Sequence, residues 1–168
     1  VSDIEKAFLQ IGLLQPDRDM TRFLWLKDTS KLTVDNNIQV YRSCRVLFGA
    51  KPSPFLLAAT LEHLLKSQAD PLLQKLRHCL YVDNVVTGCQ TPKEALKFYN
   101  ISKQALIKDA SMNLREWRSN CSEFMTSIPN VDCAKNPKDK VLGINWNSET
   151  DQLSISTSFK PNEQSPIA

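Results

Sequence analysis

Apolar residues recur along this chain with two different periods, and the alternation between them sets out a series of elements. The opening "VSDIEKAFLQIGL" predicts a short strand running into Asp3, then an irregular or helical stretch with Ala7, Phe8 and Ile11 apolar. "TRFLWLKD" (21–28) and "IQVYRSCRVLF" (38–48) are rich in β-formers, and the polar "TSKLTVDNN" between them has turn chemistry, so the two read as a hairpin. From 52 to 68 the period changes to that of a helix. Leu57, Leu61, Leu64 and Leu65 form an apolar stripe, with Ser53 as expected N-cap and Pro54 at the first helical position.

"LRHCLYVDNVVTG" (76–88) reads as strand, two-residue turn, strand, with Asp83 and Asn84 side by side at the turn. A second helix is expected over 91–110, because Thr91, Pro92 and Glu94 make a capping-box pattern. "VLGINWN" (141–147) and "QLSISTSF" (152–159) alternate as strands and suggest a last hairpin around "SETD". This order predicts an α+β layer, an antiparallel sheet with helices packed on one face.

Composition narrows the class without naming a function. The chain has 168 residues, 42% hydrophobic and 23% charged, which suits one domain with a real core. No apolar run reaches the length of a membrane span, and the first residues lack the apolar stretch of a signal peptide. The chain opens on Val1 and reads as an excerpt from a longer one. A net charge of +3 is compatible with an anionic partner and too small to argue for one. The five cysteines have no C-x-x-C spacing and are expected as buried free thiols, while His63 and His78 lie far apart and unclustered.

The candidate chemistry starts with two acids. Asp3 and Asp83 each end or interrupt a predicted strand, and pairing of those strands would bring two carboxylates together. Such a pair repels unless a divalent cation neutralises it, and oxygen donors with open positions suit Mg²⁺. In "VLFGAKPSP" (46–54), Gly49 permits close backbone approach and Lys51 places a positive charge before a helix N-terminus, a combination suited to phosphate. Each feature also has a plain structural explanation: a solvated strand end, or a glycine turn before a helix.

Taken in order, "VSDIEKAFLQI", "RFLW", "YRSCRVLFGAKPSPFLLAATLEHLL", "LYVDNVVTG", "MNLREWRSN" and "VLGINW" resemble the successive blocks of a reverse transcriptase palm. The likeness is greatest to the Pao/BEL group of long-terminal-repeat retrotransposons and runs from Val1 to about Asn147. It implies a palm region over 1–150, followed by a final strand and a linker or cut end over 151–168. It also implies an incomplete polymerase, with fingers before the palm and thumb and RNase H after it.

By that resemblance Asp3 and Asp83 are the metal-binding aspartates, holding two Mg²⁺ (or Mn²⁺) ions, and Asn84 completes the catalytic hairpin. Phe8 matches the aromatic position that excludes a ribose 2′-hydroxyl. Phe48, Gly49 and Lys51 line the nucleotide pocket, with Phe48 where many retroviral enzymes have Gln, and Tyr81 belongs to the Tyr-x-Asp-Asp hairpin. Leu142, Gly143 and Trp146 match the primer grip. Arg115 and Arg118 are alternative basic residues of the block thought to assist pyrophosphate release.

The implied activity is RNA-directed DNA synthesis from deoxynucleotides on an RNA or DNA template-primer, inside a cytoplasmic particle formed from a polyprotein, with no membrane partner. Three features depart from the family pattern: Asn84 stands for the second aspartate, Ser111 stands near a usual glycine, and the flanking subdomains are missing. A palm that binds nucleic acid or serves structure without catalysis is the alternative implied by Asn84. An unrelated α+β binding domain gains ground if Asp3 and Asp83 lie far apart.

Overall fold

A computed structural model describes residues 1–31, 36–136 and 138–155. The first strand, β1 (Ser2–Ile4), leads into a single-turn helix, α1 (Ala7–Gln10), and a 3-10 segment over Gln15–Thr21. An antiparallel hairpin follows, β2 (Arg22–Leu26) with β3 (Ile38–Arg42), and then two helices, α2 (Ser53–Lys66) and α3 (Pro71–Cys79). Strands β4 (Leu80–Tyr81) and β5 (Asn84–Val85) precede the long helix α4 (Pro92–Ala110). After it come β6 (Leu114–Arg115), α5 (Ser122–Ser127), a 3-10 turn over Asn130–Asp132, and strands β7 (Lys138–Val141), β8 (Ile144–Asn147) and β9 (Gln152–Ser154).

The fold is α+β with antiparallel strand ladders, as the pattern predicts, but the strands form three sheets and not one. Their orders are β4-β5-β1-β6, β2-β3 and β7-β8-β9. The four-stranded sheet carries the core. Ser2 and Ile4 of β1, Val85 of β5 and Leu114 of β6 point inward and are buried, whereas Asp3, Asn84 and Arg115 alternate to the other face. Against the inner face pack Leu57, Leu61 and Leu65 of α2, Leu76 of α3, and Phe98 and Leu106 of α4. Leu64, the fourth residue of the predicted stripe, is partly buried at its margin.

Several local expectations need correction. The residues before Leu80 are helical, not extended: Asp70 caps α3 by accepting a bond from the Leu72 amide at 2.7 Å, and Pro71 occupies the first turn. Pro52, not Ser53, is the N-cap of α2. Ser53 is already helical, and its hydroxyl donates to the Leu47 carbonyl at 2.6 Å.

The predicted second strand of the first hairpin stops at Arg42. Residues 44–46 turn back along 11–13 instead, through Leu13 N–H to Cys44 O and Val46 N–H to Ile11 O. The predicted strand over 141–147 is broken by a turn at Leu142 and Gly143, both with positive φ, so β7, β8 and β9 form a meander. The end of the predicted strand 152–159 lies outside the described residues beyond Ile155.

Helix α4 is capped as expected, with the Thr91 hydroxyl accepting from the Glu94 amide at 3.1 Å, although the Glu94 carboxylate takes the amide of Gln90 rather than that of Thr91. All five cysteines are free, but Cys44 is exposed and the other four are half-buried rather than fully enclosed.

Candidate active site

The ladders place one row of side chains across the outer face of the main sheet. Tyr81 pairs with Asn84, Asn84 with Asp3, and Asp3 with Arg115, so all four residues share the face opposite the core. Asp83 sits at the end of this row in the β4–β5 turn, whose two central residues are Val82 and Asp83. Asn84 therefore belongs to the strand and not to the turn, contrary to the sequence expectation.

Val82 has φ of 56°, a left-handed conformation that a β-branched residue adopts at a cost of about 1–3 kcal/mol. The surrounding ladder holds it there: the Ile4 amide donates to the Asp83 carbonyl at 2.8 Å, locking the turn to β1.

The electrostatics follow from this packing. Burial first, then the neighbouring Asp83 and Glu116 charges, raise the Asp3 carboxyl to about 6, with Arg115 opposing them. The Arg115 guanidinium lies among three carboxylates, 3.8 Å from Asp3, 3.4 Å from Glu5 and 3.8 Å from Glu116. Its Nε is buried without a hydrogen-bond partner. With Asp83 added, four acids gather about Asp3 and Arg115, while Arg118 and Lys140 stand on the wall of the adjoining cleft.

Asn84 contributes a donor: its Nδ2 gives a hydrogen bond to Asp83 Oδ1 at 3.0 Å. An aspartate in its place would instead set a second negative charge against Asp83. Among the described residues no group of three or more His, Cys, Asp and Glu side chains forms a metal cage. The donor set is two aspartates, and a half-buried Asp3 whose proton affinity is raised by burial and by its acidic neighbour suits a hard divalent ion.

A cleft of about 370 Å³ opens beside Asp83, and the residues expected to receive a nucleotide converge there. Phe8, Phe48, Gly49 and Lys51 line it together with Val82 and Asp83. Phe8 is also a buried member of the core, so it lines the cleft from the edge of the packed interior. Gly49 has φ of +84°, which a residue with a side chain would adopt only under strain. Tyr81 does not line this cleft; it is exposed at the edge of the row.

The primer-grip candidates divide. Leu142 and Gly143 form the β7–β8 turn, and the adjacent Val141 and Lys140 line a second cleft with Asp3, Asn84 and Arg115. Trp146 lies elsewhere, its indole donating to Asp151 at 3.0 Å across the β8–β9 hairpin.

The two alternative arginines are also distinguished. Arg115 is in the row beside Asp3, whereas Arg118 is buried, with its Nε donating to the Asn136 carbonyl at 3.2 Å. Glu5 and Glu116 were not among the sequence candidates. Glu5 had a signal, since it lies two residues beyond Asp3.

An antiparallel sheet backed by helices, with Asp3 on β1 and Asp83 in the β4–β5 turn beside it, is the arrangement of a polymerase-type palm. The family model described as "Reverse transcriptase (RNA-dependent DNA polymerase)" matches residues 1–145. The chain belongs to the reverse transcriptase family. A comparison with curated proteins gives no match.

Proposed function

We propose that this chain is the palm region, over about 1–150, of an RNA-directed DNA polymerase that adds deoxynucleotides to a primer 3′-hydroxyl by two-metal nucleotidyl transfer. The observation that carries this reading is the meeting of Asp3 and Asp83 through the β1–β5 ladder, with the Asp3 carboxyl held up by burial and by Asp83. These two residues would hold Mg²⁺. A divalent ion bound there lowers the pKa of the attacking hydroxyl and neutralises charge on the leaving pyrophosphate.

The chain's own residues perform the positioning. The β4–β5 turn and its bond from the Ile4 amide fix Asp83 against β1, and Arg115 limits the repulsion between the acids around Asp3. Lys51 supplies a cation at the nucleotide cleft, and Phe8 gives that cleft an apolar wall.

The order of the sequence blocks supports a retrotransposon polyprotein of Pao/BEL type, working in a cytoplasmic particle. Template and primer would be gripped mainly through their backbones, with fingers, thumb and RNase H supplied by the rest of that polyprotein. A second reading is favoured by one contact. The Asn84 amide already gives Asp83 a hydrogen bond that a cation would otherwise compensate, as in a palm kept for binding or structure without catalysis.

Mg²⁺-dependent primer extension on an RNA template decides between them, with this segment in a polymerase that has fingers and thumb. Extension that is lost in Asp3→Asn and Asp83→Asn supports the catalytic reading. Extension only after Asn84→Asp supports the degenerate palm, and extension unaffected by loss of Asp3 and Asp83 overturns both.

A further inference from the structure

Arg115 stands among three carboxylates and grips none of them closely. It pairs with Asp3 in the β1–β6 register, and its guanidinium lies 3.8 Å from Asp3, 3.4 Å from Glu5 and 3.8 Å from Glu116. A close bond between arginine and a carboxylate is about 2.7–2.9 Å long. Elsewhere in this chain Arg22 and Arg42 reach Asp19 at that distance, both at 2.8 Å. The Arg115 Nε is buried with no hydrogen-bond partner, so the side chain is held by charge and not by a fixed set of bonds.

The two glutamates beside it are placed by the backbone. Glu5 lies two residues beyond Asp3, and Asn113 Nδ2 donates to its carboxylate at 3.2 Å. Lys103 holds Asn113 in turn, donating to Oδ1 at 2.8 Å. Consecutive residues of a strand point to opposite faces, so Glu116 would ordinarily face away from Arg115. Its φ of 52° breaks that alternation, and the carboxylate comes within 3.8 Å of the neighbouring guanidinium. Such a left-handed backbone is costly for a glutamate, and strain of this kind collects at functional sites.

We propose that Arg115 is the built-in counter-cation of Asp3, and that it shifts onto Glu5 and Glu116 when Asp3 takes up a divalent ion. This inference rests on the metal-site reading above. A guanidinium that stayed beside Asp3 would repel a divalent ion there, and one with no second position would keep the ion out. Glu5 and Glu116 supply that second position within the reach of one side chain, so the exchange needs no movement of the sheet. Arg115 is thus a positioning residue that acts through Asp3. It keeps the clustered acids compatible with a folded sheet and sets how much divalent ion the site requires.

The test is calorimetric Mg²⁺ titration of the full chain at about pH 8, well above the Asp3 value of about 6. Arg115→Gln is expected to bind Mg²⁺ about 10-fold more tightly than the wild type, and to lower the denaturant midpoint measured without metal. Arg115→Lys, which keeps the charge, is expected to stay within about 3-fold of the wild type. Glu5→Gln is expected to weaken binding about 5-fold alone and by less than about 2-fold in the Arg115→Gln background, because the acid acts through the arginine. Proton–proton Overhauser contacts in the wild type give a second measurement that needs no substitution. With saturating Mg²⁺, contacts from the Arg115 side chain to Asp3 should weaken and those to Glu5 and Glu116 strengthen.

Arg115→Gln that binds Mg²⁺ no more tightly than the wild type overturns the inference, since an arginine that only supports the fold has no competition to relieve. Overhauser contacts unchanged by Mg²⁺ overturn it as well, and so does a Glu5→Gln effect of equal size in both backgrounds. In each case the metal site itself stands. Absence of saturable Mg²⁺ binding in the wild type and in Arg115→Gln alike overturns the metal site and this inference together.

Discussion

Asp3 stands directly opposite Asn84 across the β1–β5 ladder, and Asn84 in turn donates to the carboxylate of Asp83. That pairing joins two stretches of chain separated by α1, the β2–β3 hairpin, α2 and α3 into one face. It also specifies how the missing second aspartate acts, since position 84 faces Asp3 as well as Asp83.

The raised carboxyl of Asp3 makes the isolated fold sensitive to pH. Its folded value is about 6 against an ordinary 3.8, so its contribution to stability is fully present below about 3.8 and is lost as pH rises through about 6. The shift costs about 1–2 kcal/mol at neutral pH after allowance for partial solvent screening. Asp3→Asn is therefore expected to stabilise the metal-free chain by that amount at pH 7.5. Most of the gain should vanish at pH 4. Urea unfolding at both values measures it.

Replacement of Asn84 by Asp exchanges an amide donor for a second negative charge beside Asp83. Removing or adding one unit charge a few ångströms from a divalent ion is worth several kcal/mol at an effective dielectric of about 20, blunted by solvent. Asn84→Asp is expected to bind Mg²⁺ at least about tenfold more tightly than the wild type, about 1.4 kcal/mol, by calorimetric titration.

Ser111 terminates α4 in the left-handed conformation, at φ of 55°. A helix end of this kind favours glycine, because serine adopts this backbone only with strain. Ser111→Gly is expected to raise stability by about 1 kcal/mol without altering metal affinity, as read by denaturant midpoint and Mg²⁺ titration.

Behind the site, α4 is tied to β6 by a buried network. Lys103 donates to Asp132, to the Asn113 side chain at 2.8 Å and to the Leu114 carbonyl at 3.1 Å, while the Tyr99 hydroxyl donates to the other oxygen of Asp132. Burial, followed by the bonded Asp132, pushes the Tyr99 phenol well above its usual range. Lys103→Met leaves the Asp132 charge buried without its cation and is expected to cost about 3–5 kcal/mol. Adding Asp132→Asn should recover part of that loss, a coupling that a double-mutant cycle detects.

The legible parts of this fold were those with strong local chemistry. Thr91, Pro92 and Glu94 announce α4, and the leucine stripe announces α2. Helix α3 was hidden because no Gly or Pro separates its end from Leu80–Val86, and a period of two and a helical period cannot be told apart over so few residues. Strands β4, β5 and β6 have two residues each, too short for any periodicity.

The acids at positions 3 and 83 were visible as candidates, and the ordered blocks pointed to the family. The row from Tyr81 to Arg115 was not visible, because strand register is set by packing across the sheet and not by neighbours in sequence. For the same reason nothing local separated Arg115 from Arg118, or removed Trp146 from the cleft that Lys140 and Val141 line.

The central claim, that Asp3 and Asp83 form one divalent-ion site, is tested most directly by Mn²⁺ titration of the isotope-labelled chain followed by paramagnetic broadening of its amide resonances. The expected result is early, saturable loss of the signals of residues 2–4 and 81–85, competed by Mg²⁺ and abolished by Asp3→Asn. Broadening that begins at other acidic residues, such as Asp19 or Glu62, and that persists in Asp3→Asn would contradict the site.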